Sequence, residues 1–386
     1  MKEYILFETK LYVKNRKNLF LILGVAVFVL GLLFYIPYQR VENIDDKIES
    51  EALAVRNAIA YVPLHEVEQG TYSDEYGYYD HLLSESSAIA SQEVAITMFD
   101  DLNQYVTAGL QVTDSRIQSH EEGYGSLPQE FIVPLAQSLR EREVYEYLQE
   151  NNLQIEPNAE NGANMLVIGI RWFSAVCFLF ILFLSCDILT NDNEHKTIIS
   201  AYPIDANRRL IGKLIIQSLV TIVALTSLFA AGYLISSLFF DIGTMTYPVP
   251  IYLSGEFTAV PTSIFIFTFI VLFLFFMIHM ILFSALLNVL FRNKYLNIFI
   301  GGLLYILSFL FSSQVSFFRF APINYFDPAA VLRGDLAVQF NQSSNDWITA
   351  IIILGLWSAG YAAILSFVFA RKNRVKLEQI KGGSAA

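Results

Sequence analysis

The sequence predicts an all-α polytopic membrane protein with six transmembrane helices, an N-terminal interfacial helix and a mainly helical external domain between the first two spans. Three observations predict it. Of 386 residues, 54% are hydrophobic and only 16% charged, where about a quarter is usual in soluble chains. Apolar stretches of about 20 residues, enough for a helix to cross a hydrocarbon core, occur six times. Charge is also segregated: Arg40 to Met165 carry 24 acids against 6 bases, or −18, while the remainder carries 12 acids against 19 bases, or +7.

Taken in order, residues 1–18 place Tyr4, Phe7 and Leu11 on one helical face with Lys and Glu elsewhere, as suits a helix lying on a membrane surface. The spans follow at 19–38, 166–186, 214–240, 264–291, 295–317 and 347–370. The first is too long for a secretory signal core and lacks a small-x-small cleavage site, so it reads as an uncleaved helix. Spans four and five are separated only by "RNKY" and predict a tight antiparallel hairpin.

Basic residues of short loops stay cytoplasmic. They lie before span one, between spans two and three at 187–213, between four and five, and in the tail 371–386. Both termini are thus expected in the cytoplasm and the chain is expected to be a multi-pass plasma-membrane protein. The connections 39–165, 241–263 and 318–346 face outward. The two cysteines, Cys177 and Cys186, lie in or beside span two; they read as small buried hydrophobes. No disulfide holds the acidic segment, which fits a Gram-positive plasma membrane.

Residues 39–165 are of single-domain size. "IDDKIESEALAVRNAIAYV" sets Ile44, Ile48, Leu53, Val55 and Ile59 near helical spacing, and "SLREREVYEYLQENN" reads as a charged helix ending in Asn. "SLPQE", Ser126 to Glu130, is a plausible helix start. The Tyr-rich acidic run "YSDEYGYYDHLLSE" is either a solvated face or a surface for cationic and amphipathic ligands.

Chemistry is sparse. There is no phosphate-cradling G-x-x-x-x-G-K-[ST] loop, and "YLSGEF" (Tyr252–Phe257) resembles an ATPase signature only by chance, in a loop that faces away from nucleotide. The scattered His65, His81 and His120 suggest no metal site. His279, deep in span four, is either functional or an imidazole bonded to a neighbouring helix. No cofactor is expected on the chain itself, and the composition gives no sign of a nucleic-acid partner.

The polar island between spans two and three, "DILTNDNEHKTIISAYPIDANRRLIGKLI", resembles the membrane subunit of ABC-2 type exporters. That family has an acid, a Thr with a hydrophobic pair, a Pro turn, an Arg and a Gly-Lys before the third helix. Glu194, Thr197, Ile198, Pro203, Arg208, Gly212 and Lys213 match it. Lys196 stands where the family has Gly, and the spacing after Pro203 is longer. The resemblance implies a re-entrant external segment between spans five and six, and here "FFRFAPINYFDPAAVLRGDLAV" is apolar, aromatic and Pro-interrupted.

The resemblance further implies a permease that pairs with a second copy or a paralogue in membrane lipid and takes ATP and Mg through a separate ABC ATPase subunit. The island would be that partner's docking helix. Ile198, Ile199 and Tyr202 would enter its cleft; Glu194, Lys196, Arg208 and Arg209 would contact the rim; Thr197, Pro203 and Lys213 complete the site. An ordinary positive-inside loop has no need of Ile198, Ile199 and Tyr202. The competing expectations are a four-span permease doing mechanical work, a peptide-sensing or immunity protein, and a membrane-embedded enzyme.

Overall fold

A computed structural model describes residues 2–38, 43–62, 78–125, 127–156, 160–190, 205–311, 320–340 and 345–383. The described helices, in chain order, are α1 (Lys2–Lys14), α2 (Arg16–Tyr38), α3 (Ile44–Tyr61), α4 (Tyr78–Thr97), α5 (Leu102–Glu122), α6 (Leu135–Glu150), α7 (Gly162–Ser185) and α8 (Ala206–Phe239). After strands β1 (Pro248–Leu253) and β2 (Glu256–Pro261) come α9 (Thr262–Phe291), α10 (Lys294–Phe311), α11 (Pro328–Leu332), α12 (Asp335–Phe340) and α13 (Trp347–Gly383). The chain divides into two units: residues 1–32, 168–232 and 267–386, and residues 33–167 with 233–266.

The first unit is a bundle whose exterior is apolar. Large side chains recur every fourth position on exposed faces, as at Ile211, Ile215, Leu219 and Val223 of α8 or Ile348, Ile352 and Leu356 of α13. Such stripes are costly in water and at home in lipid. α7 and α9 form the centre, each with 56% of its most apolar stretch buried, against 28% for α8 and 22% for α13. Phe173, Phe178 and Ile181 of α7 and Phe276, Met280 and Ile281 of α9 fill that centre.

Four described helices (α7, α8, α9 and α13 up to Arg371) are long and apolar enough to cross a bilayer, and a fifth counts if Tyr4–Lys14 and Arg16–Leu32 form one span. Those two are bent by 62° at Asn15, where the apolar run begins. The expected fifth span, 295–317, overlaps α10, whose apolar part Lys294–Leu307 is shorter than a crossing needs; residues 312–317 lie outside the described ones. The "RNKY" connection is a two-residue turn: Arg292 takes φ 53°, and the Asn293 side chain caps α10 by accepting from Tyr295 N (2.9 Å).

Within residues 320–340 of this unit, Tyr325, Phe326, Ala329, Val331, Leu332 and Ala337 are buried, while Phe320 and Val338 are exposed. Asp327 caps α11 through Ala330 N (3.0 Å), and the Ser174 hydroxyl of α7 donates to Asp327 while accepting from Ala329 N (2.8 Å). Phe178 stacks between Phe326 (centroids 4.6 Å apart) and Tyr305 (4.7 Å). Pairing irregular backbone with α7 is what permits it among apolar helices.

The second unit is acidic and built on α3–α6. Ile44, Ile48 and Val55 of α3 join Ile89, Val106, Val112, Tyr145 and Leu148 in one apolar cluster. Fully burying one such side chain contributes roughly 1.5–3 kcal/mol. Leu53, expected to point inward, is 59% exposed: nine residues from Ile44 at 100° each put it on the opposite face of the helix. Asp101 caps α5 by accepting from Asn103 N and Gln104 N (3.0 Å each). A Cβ on Gly109 would sit 2.7 Å from the Tyr145 ring, so this glycine sets how closely α5 and α6 approach.

The charged helix appears as α6 and ends as expected, with Asn152 in the left-handed region at φ 51°. The helix start expected at Ser126–Glu130 is instead a 3-10 turn, Gln129–Phe131, and α6 begins only after Pro134; Ser126 lies outside the described residues. The loop 241–263 is not helical either. It holds β1 and β2, antiparallel from Leu253↔Glu256 to Pro248↔Pro261, and folds with the acidic unit, where Arg140 lies 5.0 Å from the Phe257 ring. "YLSGEF" is the hairpin turn: Ser254 (φ 54°) and Gly255 (φ 100°) both take the positive φ that a two-residue hairpin requires. Counting outward from that turn, Pro248, Pro250 and Pro261 occupy non-hydrogen-bonded positions, where a missing N–H costs the ladder nothing.

Candidate functional site

The polar island begins where α7 ends. Ser185 and Cys186 close the apolar helix, residues 186–190 turn, and α8 resumes at Ala206. Glu194, Lys196, Thr197, Ile198, Ile199, Tyr202 and Pro203 lie outside the described residues. Of the others, Arg208 is exposed, Arg209 is half-buried and Lys213 turns back. Lys213 Nζ donates to the Ile188 carbonyl (2.9 Å). It therefore ties the two ends of the island together instead of projecting outward with Arg208.

Further contacts converge on that base. Lys17, at the start of α2, forms an ion pair with Asp187 and donates to the Leu184 carbonyl (3.3 Å). Asn297 of α10 donates to the carbonyls of Cys186 (3.2 Å) and Ser284 (3.1 Å), and the hydroxyls of Ser185 and Ser284 lie 2.8 Å apart. The last carbonyls of a helix have no partner within it. Here α7's are satisfied by Lys17 and Asn297, side chains of two other helices. The end of α7 is thus held by α2, α8, α9 and α10.

α1 is fastened to α8 on the same side. Tyr4 is buried, and a Cβ on Gly212 would lie 2.9 Å from its ring, so the family-like Gly of the Gly-Lys pair serves close approach. Further along, the hydroxyls of Tyr12 and Thr221 are 3.1 Å apart. Sequence reasoning placed Lys17 among the orienting cations and missed Asp187, Asn297, Ser284, Tyr12 and Thr221. The available signal was their position: polar residues in or at the borders of apolar runs, where an unpaired group is expensive.

His279 has the neighbouring-helix arrangement. It is buried with a hydrogen bond to the Leu354 backbone of α13, and its ring lies 5.3 Å from that of Tyr361 and 6.4 Å from that of Phe326. Among the described residues, no three His, Cys, Asp or Glu side chains are placed to hold a metal ion.

Apolar stripes outside, neutral polar contacts at one helix end and cations at the border define a polytopic membrane protein in which the end of α7 is braced by neighbouring helices. Residues 5–374 match the ABC-2 family transporter proteins, and the chain belongs to that family. No curated protein and no solved structure matches it. Membership makes the chain a permease subunit of an ABC transporter, and an ABC ATPase is the implied partner.

Proposed function

We propose that this permease belongs to an ATP-driven exporter and that residues 191–213 are where its ATPase grips. In this reading six helices cross a plasma membrane of the Gram-positive type, both termini are cytoplasmic, and two copies, or a copy and a paralogue, pair in the lipid. ATP and Mg are held by the partner. The cargo is amphipathic or lipid-like, cationic antimicrobial peptides included, because aromatic spans with few charges offer an ion no polar coordination at depth. Residues 318–346 form the re-entrant external segment and the helix within residues 1–18 lies at the cytoplasmic surface.

One observation carries the docking part: the helix ends flanking the island are joined by Lys213 and Ile188, and the same base is tied to α2 by Lys17 and Asp187. Displacement of the island is therefore shared by several helices as a rigid-body movement. Ile199→Asp with Arg208→Glu should abolish ATPase binding, stimulated hydrolysis and transport while the protein still inserts. Retained activity in that double variant would show that the ATPase docks elsewhere.

A second reading is favoured by the size of the acidic unit: a permease that transmits force to it, or senses peptide there, without carrying cargo. Reconstituted vesicles separate the two, since only an exporter accumulates fluorescent cationic peptide on the side opposite the ATPase.

A further inference from the structure

The acidic unit contains a half-open cavity of about 150 Å³, a size that in an apolar interior accepts a benzene ring. Its lining combines the apolar side chains of Val55, Ala58, Leu82 and Phe131 with Glu51, Glu85 and Arg116. Arg116 is 2% exposed and bonded to three carboxylates: Nε donates to Glu85 (2.6 Å), Nη2 to Glu51 (3.1 Å) and Nη1 to Glu141 (3.4 Å). Lys47 adds contacts to Glu51 (3.6 Å) and Glu141 (3.5 Å). Three carboxylates thus face two cations, and the network carries one surplus negative charge.

That surplus selects the ligand. An anion entering the cavity meets a guanidinium already committed to three carboxylates, in surroundings of low dielectric where like charges repel strongly. A cation completes the charge balance. We propose that this cavity binds an organic cation made of a ring-sized apolar group and a protonated amine, with the ring against Val55, Leu82 and Phe131 and the ammonium at Glu51 and Glu85. Burial first, and then the neighbouring Glu51 and Glu141, hold the Glu85 carboxyl above the usual carboxylate range even though Arg116 opposes them; an ammonium would relieve that. The net −18 of residues 40–165 concentrates such cations around the unit. The inference rests on the cationic-cargo reading for its purpose but not for its test, because binding is measured without the ATPase.

The experiment uses the full chain in phosphatidylcholine nanodiscs, with empty nanodiscs subtracted, and follows phenethylamine, phenylacetate and the dipeptide Lys-Phe amide by saturation-transfer NMR and titration. Phenethylamine should bind and phenylacetate should not. Glu51→Gln should weaken the amine at least about tenfold, the factor that 1.4 kcal/mol represents. Val133→Trp, at a half-buried lining position outside the ion network, should block binding even if Glu51→Gln alters the fold. Binding of the dipeptide as well assigns the site to peptide side chains; binding of phenethylamine alone assigns it to small amines. No amine binding, equal binding of phenylacetate, or amine binding unchanged in both variants would each overturn the proposal. Loss of ATPase docking in the island variant leaves all of these outcomes readable.

Discussion

The two units bury polar groups in different ways. In the acidic unit the interior holds an ion network, Arg116 with Glu85, Glu51 and Glu141, joined by Lys47. In the membrane unit the deep contacts at the end of α7 are neutral, Ser185 with Ser284 and Asn297 on two carbonyls, and the ion pair Lys17–Asp187 sits at the end of the apolar run. Acids outnumber bases fourfold between Arg40 and Met165, so a buried carboxylate there readily finds others around one guanidinium. In a bundle surrounded by lipid no water reaches an imperfect pair, and neutral donors carry less desolvation cost.

The comparison breaks most visibly at Arg116. Replacing it with Met leaves three carboxylates around an apolar side chain, and removing one partner of a buried ion network typically costs about 3–5 kcal/mol. Hydrogen exchange of the α3–α6 amides should accelerate throughout the unit, while those of α7 and α9 should not respond. If both respond alike, the units do not fold separately.

A smaller effect is expected at Asn297. Asn297→Leu keeps the volume but strips the donor from the Cys186 and Ser284 carbonyls, for a loss of about 1–3 kcal/mol. Thermal melting of the detergent-solubilised chain should fall, and stimulated ATPase activity should fall with it, since the brace at the end of α7 is loosened. A variant that melts lower but couples normally would make Asn297 structural only.

The smallest effect is the pH response of Glu85. Its carboxyl is raised by burial against the opposing Arg116, with Glu51 and Glu141 adding to the rise; Lys47 and Tyr124 are the other titratable groups of the network and cavity wall. A raised acid binds its proton more tightly when folded. Its contribution therefore favours the fold at low pH and is lost as pH rises from the ordinary carboxylate value through the raised one. Exchange of the α4 amides, corrected for intrinsic rate, should show the acidic unit loosening slightly across that window, and Glu85→Gln should flatten the response.

Much of this was legible in the chain. The helicity of residues 2–14, the tight turn at Arg292–Asn293 and the end of α6 just before Asn151 and Asn152 follow from local rules: helical periodicity, capping by Asn, and its tolerance of positive φ. The hairpin was not. β1 and β2 sit in a Pro-rich stretch that argues against strands, and only the register, with every Pro at a non-bonded position, makes them compatible. Leu53 was misplaced because near-helical spacing does not say which side of the helix meets a neighbour.

The sequence by itself determined membership of a membrane family, the segregation of acid from base, and the position of the polar island, because hydropathy and charge are properties of consecutive residues. The tertiary structure alone decided which polar side chains meet. Lys213 with Ile188 and Lys17 with Asp187, 25 and 170 residues apart, are set by how helices pack, as is the convergence of Glu51, Glu85 and Glu141 from three helices on Arg116 of a fourth. No local pattern encodes such pairs, since each partner is fixed by its own helix and only packing brings them within a hydrogen bond.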